Sequence, residues 1–165
     1  MNEKSIVVGV DGSPGSRAAL EFAMAEAARR GTVLRVIAAV ALPEYYATAY
    51  GAYIPPPREE FVADVRAEMQ RFVDEVVAAR SDLATGLLIT MQARAGRAGE
   101  VLIEAAEGAE LLVVGHRGRG SVASRLLGSV GLHCVLHASC PITVVPTPAQ
   151  VEPPRAAAYG VSAVR

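Results

Sequence analysis

Apolar residues run along this chain in two alternating rhythms. Residues 5–10, SIVVGV, form a continuous run rich in β-branched side chains. Such a run suits a strand buried on both faces, as in a parallel sheet. After DGSPGS the period lengthens, and Ala19, Leu20, Ala23, Met24 and Ala27 fall on one helical face. Ser13 is placed to cap this helix, with Pro14 at its first position. Gly31 ends it behind Arg29 and Arg30. The second strand is predicted at 32–42, TVLRVIAAVAL. Phe61, Val65, Met69, Phe72 and Val76 then mark a long amphipathic helix over 58–80. A third strand is predicted at 86–96, GLLITMQARAG, and a helix over 98–107 carries Val101, Leu102 and Ala105. The fourth strand is ELLVVG at 110–115. A helix at 129–138 leads to the fifth strand, PITVVP, at 141–146.

Strand and helix thus alternate at spacings too long for hairpins. Parallel strands with right-handed helical crossovers follow, the pattern of an α/β fold. Residues 43–57 carry four tyrosines and four prolines and read as a loop. Residues 1–147 read as one domain, and 148–165 as a Pro/Ala-rich tail outside its core. There are no internal repeats. A chain of 165 residues, 52% of them hydrophobic, supports one full core.

Charge narrows the partners. A net charge of −1 removes the usual electrostatic case for nucleic acid or an anionic membrane surface. The start of the chain lacks a signal-peptide pattern, because its short apolar run ends in Asp11. No segment reaches the roughly 18 apolar residues of a membrane span. Two cysteines, Cys134 and Cys140, fit a reducing cytoplasm better than a disulfide framework.

The chemistry concentrates in two glycine-rich segments that leave strand carboxyl ends: GVDGSPGS after the first strand and GHRGRGSVASRLLGS after the fourth. Ligands of open parallel sheets bind beyond those ends, where strand order reverses. If the first and fourth strands are neighbours, the two loops face each other. The second loop suits phosphate. Its glycines let backbone N–H groups turn toward an anion. Ser129 opens a helix whose N-terminus carries free N–H groups and the positive dipole end. Arg117, Arg119 and Arg125 add charge, and Ser121 and Ser129 add hydroxyl donors. A P-loop is absent, since no lysine occurs after Lys4, and neither segment holds G-x-G-x-x-G.

The spacing Gly115, two residues, Gly118, nine residues, then Gly128-Ser129 matches a different pattern. With IVVGVDGSPGS at the start and HASCPITVVP at the end, residues 4–146 resemble the universal stress protein family, in its ATP-binding G-x2-G-x9-G-S/T subgroup. The resemblance implies an open five-stranded parallel sheet, order 3-2-1-4-5, with helices on both faces, Rossmann-like and similar to the adenine nucleotide α-hydrolases. It implies ATP, with Mg2+, as cofactor. By similarity Asp11 helps hold the nucleotide, Gly9 lets the chain approach it, and the backbone of Val40 reads the adenine edge. Gly115, His116, Arg117, Gly118, Arg119, Gly120 and Ser121 resemble the loop around ribose and phosphates. Arg125 matches a phosphate-side position, and Gly128, Ser129 and Val130 match the β/γ-phosphate end. His116 and Arg117 stand at variable positions of the family pattern. The family also implies a homodimer through strand 141–146, which that order puts at the sheet edge.

Each residue has a plainer reading. Asp11 can cap the turn into the first helix. Arg119 can be part of a solvated face. His133, His137 and Cys140 lie at a spacing compatible with a metal, but lack the Glu of H-E-x-x-H. Cys134 reads as a buried apolar filler, and the tyrosines of 45–53 as a lid over adenine or a loop packed on itself or a partner. Three functions remain open: an ATP-dependent regulator in stress response or growth control, a slow ATP hydrolase or ATP-using enzyme of related fold, and a dimer without ligand. The downstream partner is not readable. An enzyme needs a base aimed at phosphate, and only His116 is near.

Overall fold

A computed structural model of the chain describes residues 4–41, 47–48, 51–52, 58–118 and 127–147. The tail at 148–165 and most of the Tyr/Pro stretch lie outside the described residues. β1 (Ser5–Val10) leads into α1 (Pro14–Arg30), and β2 (Val33–Val40) follows. Within the segment read as a loop, β3 (Ala47–Thr48) and β4 (Gly51–Ala52) form a minimal antiparallel ladder. Then come α2 (Arg58–Ala79), the one-turn α3 (Ser81–Ala84), β5 (Ile89–Ala95), α4 (Ala98–Ala105), β6 (Leu111–Gly115), α5 (Ser129–His137) and β7 (Ile142–Val145).

Five of these strands make one parallel sheet in the order β5-β2-β1-β6-β7, the expected 3-2-1-4-5 when the small ladder is set aside. β1 is central: Ile6 is in register with Leu34 on one side and Leu111 on the other. Strand alternation sends Ile6, Val8 and Val10 toward α1 and α2, where they meet Leu20, Met24, Met69 and Val73. It sends Val7 and Ile37 to the opposite face, against Leu102 and Ala105 of α4 and Cys134 of α5. Each fully buried Leu or Met contributes roughly 1.5–3 kcal/mol, so both layers of helices are needed to cover the sheet. The alanines of α1 matter for closeness: Ala19, Ala23 and Ala27 are completely buried.

The helix ends follow local chemistry. Ser13 is the N-cap of α1 and its hydroxyl accepts from the Ser16 N–H at 3.1 Å. Gly31 closes the helix in the left-handed conformation, φ 64° and ψ 40°, a position glycine fills without steric cost. Arg17 ties α1 to α2 through Glu75 at 2.9 Å while its guanidinium lies 5.6 Å from the Phe72 ring centre. Cys134 is fully buried, as expected of a filler, and burial pushes its thiol above the ordinary range, with Cys140 adding to the shift.

Candidate functional site

The carboxyl ends of β1 and β6 are neighbours, so the loops that follow them converge. They do so at backbone contact. A Cβ added to Gly115 would lie 2.7 Å from both the carbonyl carbon and oxygen of Gly15. One added to Gly15 would run into the carbonyl oxygen of Arg117. Glycine is required at both positions for space, since neither has a left-handed backbone.

His116 is pinned from two sides. Its N–H donates to the Val145 carbonyl of β7 at 2.8 Å, and its carbonyl accepts from Gly128 N–H at 3.0 Å. The second bond joins the beginning and the end of the glycine motif. It brings the start of α5 beside the end of β6, and Gly128 gives that helix an N-cap without a side-chain hydrogen bond. Among the described residues, no side chain caps the first-turn N–H groups of α5, which suit an anionic acceptor.

Together these elements enclose a cleft of about 380 Å³ at the carboxyl end of the sheet. Gly9 and Val114 form its floor, Ala98 and Leu102 of α4 one wall, and Ser129, Val130 and Gly131 of α5 the other. Asp11, Gly115, His116, Arg117, Gly118 and Gly128 line its mouth. Asp11 Oδ1 accepts the Ser13 N–H at 3.0 Å, so this residue shapes the turn into α1 while also lining the cleft. The cap itself is Ser13. Two side-chain nitrogens lining the cleft, His116 Nδ1 and Arg117 Nε, are buried without a hydrogen-bond partner among the described residues. Such atoms carry a desolvation cost of about 1–3 kcal/mol until something satisfies them.

The structure thus brings Gly9, Asp11, Gly115, His116, Arg117, Gly118, Gly128, Ser129 and Val130 to one cleft. Arg119, Gly120, Ser121 and Arg125 lie outside the described residues. Val40 is buried and does not line the cleft; its carbonyl accepts Gly96 N–H at 3.0 Å. Ile37 and Ala39, which alternate with it on β2, line the cleft instead. The sequence reading missed them together with Ala98 and Leu102. The β2 alternation was a usable signal, because Ile37 pairs with Gly9 in register. No local signal marks Ala98 and Leu102, which reach the cleft through the crossover of α4.

His133 and His137 do share a face of α5, with ring centres 4.4 Å apart. His133 also packs on α4, where a Cβ at Gly99 would meet its ring at 2.5 Å. Among the described residues, no three His, Cys, Asp or Glu side chains gather closely enough to hold a metal ion.

The sequence profile of the universal stress protein family matches residues 3–146. The chain belongs to the universal stress protein family. Universal stress protein Rv1996 of Mycobacterium tuberculosis is 34% identical over 161 residues, covering 92% of this chain and 51% of that protein. The chain spans about half the length of the curated universal stress proteins it matches. Among solved structures, a universal stress protein in complex with cAMP is 26% identical, with a TM-score of 0.58 over 88% of this chain and 98% of the other. UspA from Lactobacillus plantarum shares the fold at a TM-score of 0.66 and 22% identity, over 87% of this chain and 97% of the other. No helix among the described residues is long and apolar enough to cross a membrane.

Proposed function

We propose that the cleft binds an adenine nucleotide, ATP in the first place, and that this universal stress protein acts as a nucleotide-dependent regulator in stress response or growth control. The observation that carries the reading is the convergence of two strand-end loops on the start of α5, which no side chain among the described residues caps. The glycines there allow backbone approach, the α5 N–H groups and Ser129 hydroxyl supply donors, and His116 Nδ1 and Arg117 Nε lack partners among the described residues. The apolar floor and walls suit a base. A similar structure in complex with cAMP supports the adenine class. Among the described residues lining the cleft, Asp11 is the one acid. A single carboxylate suits a magnesium ion that keeps most of its other ligands from phosphates and water. Two free thiols fit a cytoplasmic location, which fractionation of cells carrying the tagged chain would check.

The test is native mass spectrometry of freshly purified protein, followed by calorimetric titration with ATP, ADP, AMP and cAMP. At least one adenine nucleotide should bind. Ser129→Ala should weaken ATP by about 1.5–3 kcal/mol at most, the contribution of a hydrogen bond to a charged group. No binding of any of the four removes the reading.

A homodimer through β7 belongs to the same proposal. The strand is at the sheet edge. Beside it α5 exposes Leu132, Val135 and Leu136, which are 49%, 50% and 67% exposed. Such a stripe invites a partner. Light scattering should give twice the chain mass at tens of micromolar. A monomer there excludes the dimer.

A further inference from the structure

We infer that Gly118 is a positioning residue for the Asp11 carboxylate. The bare α-carbon at 118 admits that carboxylate to the cleft mouth and so latches the loop after β1 to the loop after β6.

Gly118 is not required by its backbone conformation, because its φ lies outside the left-handed region. It is not required by core packing either, because the residue is exposed. An added Cβ would run into Asp11 Oδ2, with Asp11 Cγ at 3.5 Å; among the described residues, every atom it would meet within 4 Å belongs to Asp11. The other oxygen of the same carboxylate accepts the Ser13 N–H at 3.0 Å. Ser13 in turn caps α1. Asp11 therefore has one side against Gly118 and the other in the turn that starts α1. A side chain at 118 would rotate the carboxylate about its two torsions and break the bond to Ser13. The overlap is with the end of a side chain, so the fold survives and the cost falls on the position of Asp11. For the ligand, the consequence rests on the nucleotide reading above: a displaced carboxylate no longer lines the mouth.

The experiment compares wild type with Gly118→Ala, Asp11→Ala and the double variant. It measures amide hydrogen exchange at Ser13, ATP affinity by calorimetry, and melting temperature. Gly118→Ala should stay folded, speed Ser13 exchange and weaken ATP, each by about tenfold, within the coupling expected for residues in contact. Asp11→Ala should speed Ser13 exchange likewise. Adding Gly118→Ala to Asp11→Ala should change neither reading further. Should Gly118→Ala fail to fold, the double variant must restore folding. Unchanged Ser13 exchange in folded Gly118→Ala, an additive loss in the double variant, or no rescue would overturn the inference. If wild type binds no ATP, the nucleotide reading falls, while Ser13 exchange still decides whether Gly118 positions Asp11.

Discussion

Gly9→Ala and Gly115→Ala are the same chemical change on neighbouring strands, and the structure predicts opposite outcomes. At Gly115 the added Cβ would lie 2.7 Å from the carbonyl carbon and oxygen of Gly15 and 3.2 Å from the Ser16 nitrogen. All are backbone atoms of the buried first turn of α1, so no side-chain rotation relieves the overlap. Overpacking costs roughly 1–3 kcal/mol, and the lack of any rotamer escape places this site near about 2–3 kcal/mol. Losing the glycine's freedom in the unfolded chain returns about 0.4–1 kcal/mol. The net loss at Gly115 is then about 1–2.5 kcal/mol. At Gly9 the nearest atoms are Leu102 Cδ1 at 2.8 Å and Cδ2 at 3.0 Å. Leu102 lines the open cleft and can turn into it, at a rotamer cost of about 0.5–1.5 kcal/mol. The same unfolded-state return offsets most of that, so stability changes little. The cleft, however, loses volume where a ligand would lie. Urea unfolding should show a lowered midpoint with an unchanged slope for Gly115→Ala and a near wild-type midpoint for Gly9→Ala. ATP titration should show weakened binding for Gly9→Ala. Equal destabilisation by the two substitutions would refute the reasoning, as would a Gly115→Ala protein within about 0.5 kcal/mol of wild type.

Ser13→Ala removes the acceptor of the Ser16 N–H and should lower stability by about 1 kcal/mol, read as a reduced urea midpoint. Glu26 is held at about 2 by hydrogen bonds from Arg29 and then Arg30, below its ordinary 4.5. A depressed carboxylate contributes stability that is present above about 4.5 and is lost as pH falls toward about 2. Glu26→Gln should therefore flatten the stability profile across that window; an unchanged acid limb would show that the pair does not contribute. Truncation after Thr147 should leave melting temperature and ATP affinity nearly unchanged, and a large loss of either would show that residues 148–165 pack on the core.

How much was legible in the sequence divides along the range of the interactions. β1 and β6 were readable as SIVVGV and ELLVVG because a strand buried on both faces must be apolar at every position. The α1 cap was readable because Ser13 and Pro14 act within one turn of helix. The spacing of Gly118 and Gly128 pointed to the cleft because both glycines line it, with the Gly128 N–H returning to the His116 carbonyl. What the sequence could not supply was the partner of each glycine. Gly115 and Gly118 look alike in the chain, yet one is required by the backbone of Gly15 and the other by the carboxylate of Asp11. Those partners lie about a hundred residues away, and only the adjacency of β1 and β6 brings them near. Leu102 and Ala98 reach the cleft by the α4 crossover, and Ile37 and Ala39 line it while the Val40 side chain, one residue on, points to the opposite face. Local sequence determined which segments are strand, helix and phosphate-like loop, because propensity, capping and periodicity act within a few residues. Tertiary structure decided which of those residues share a cleft, because that depends on strand order and on how closely two backbones can approach.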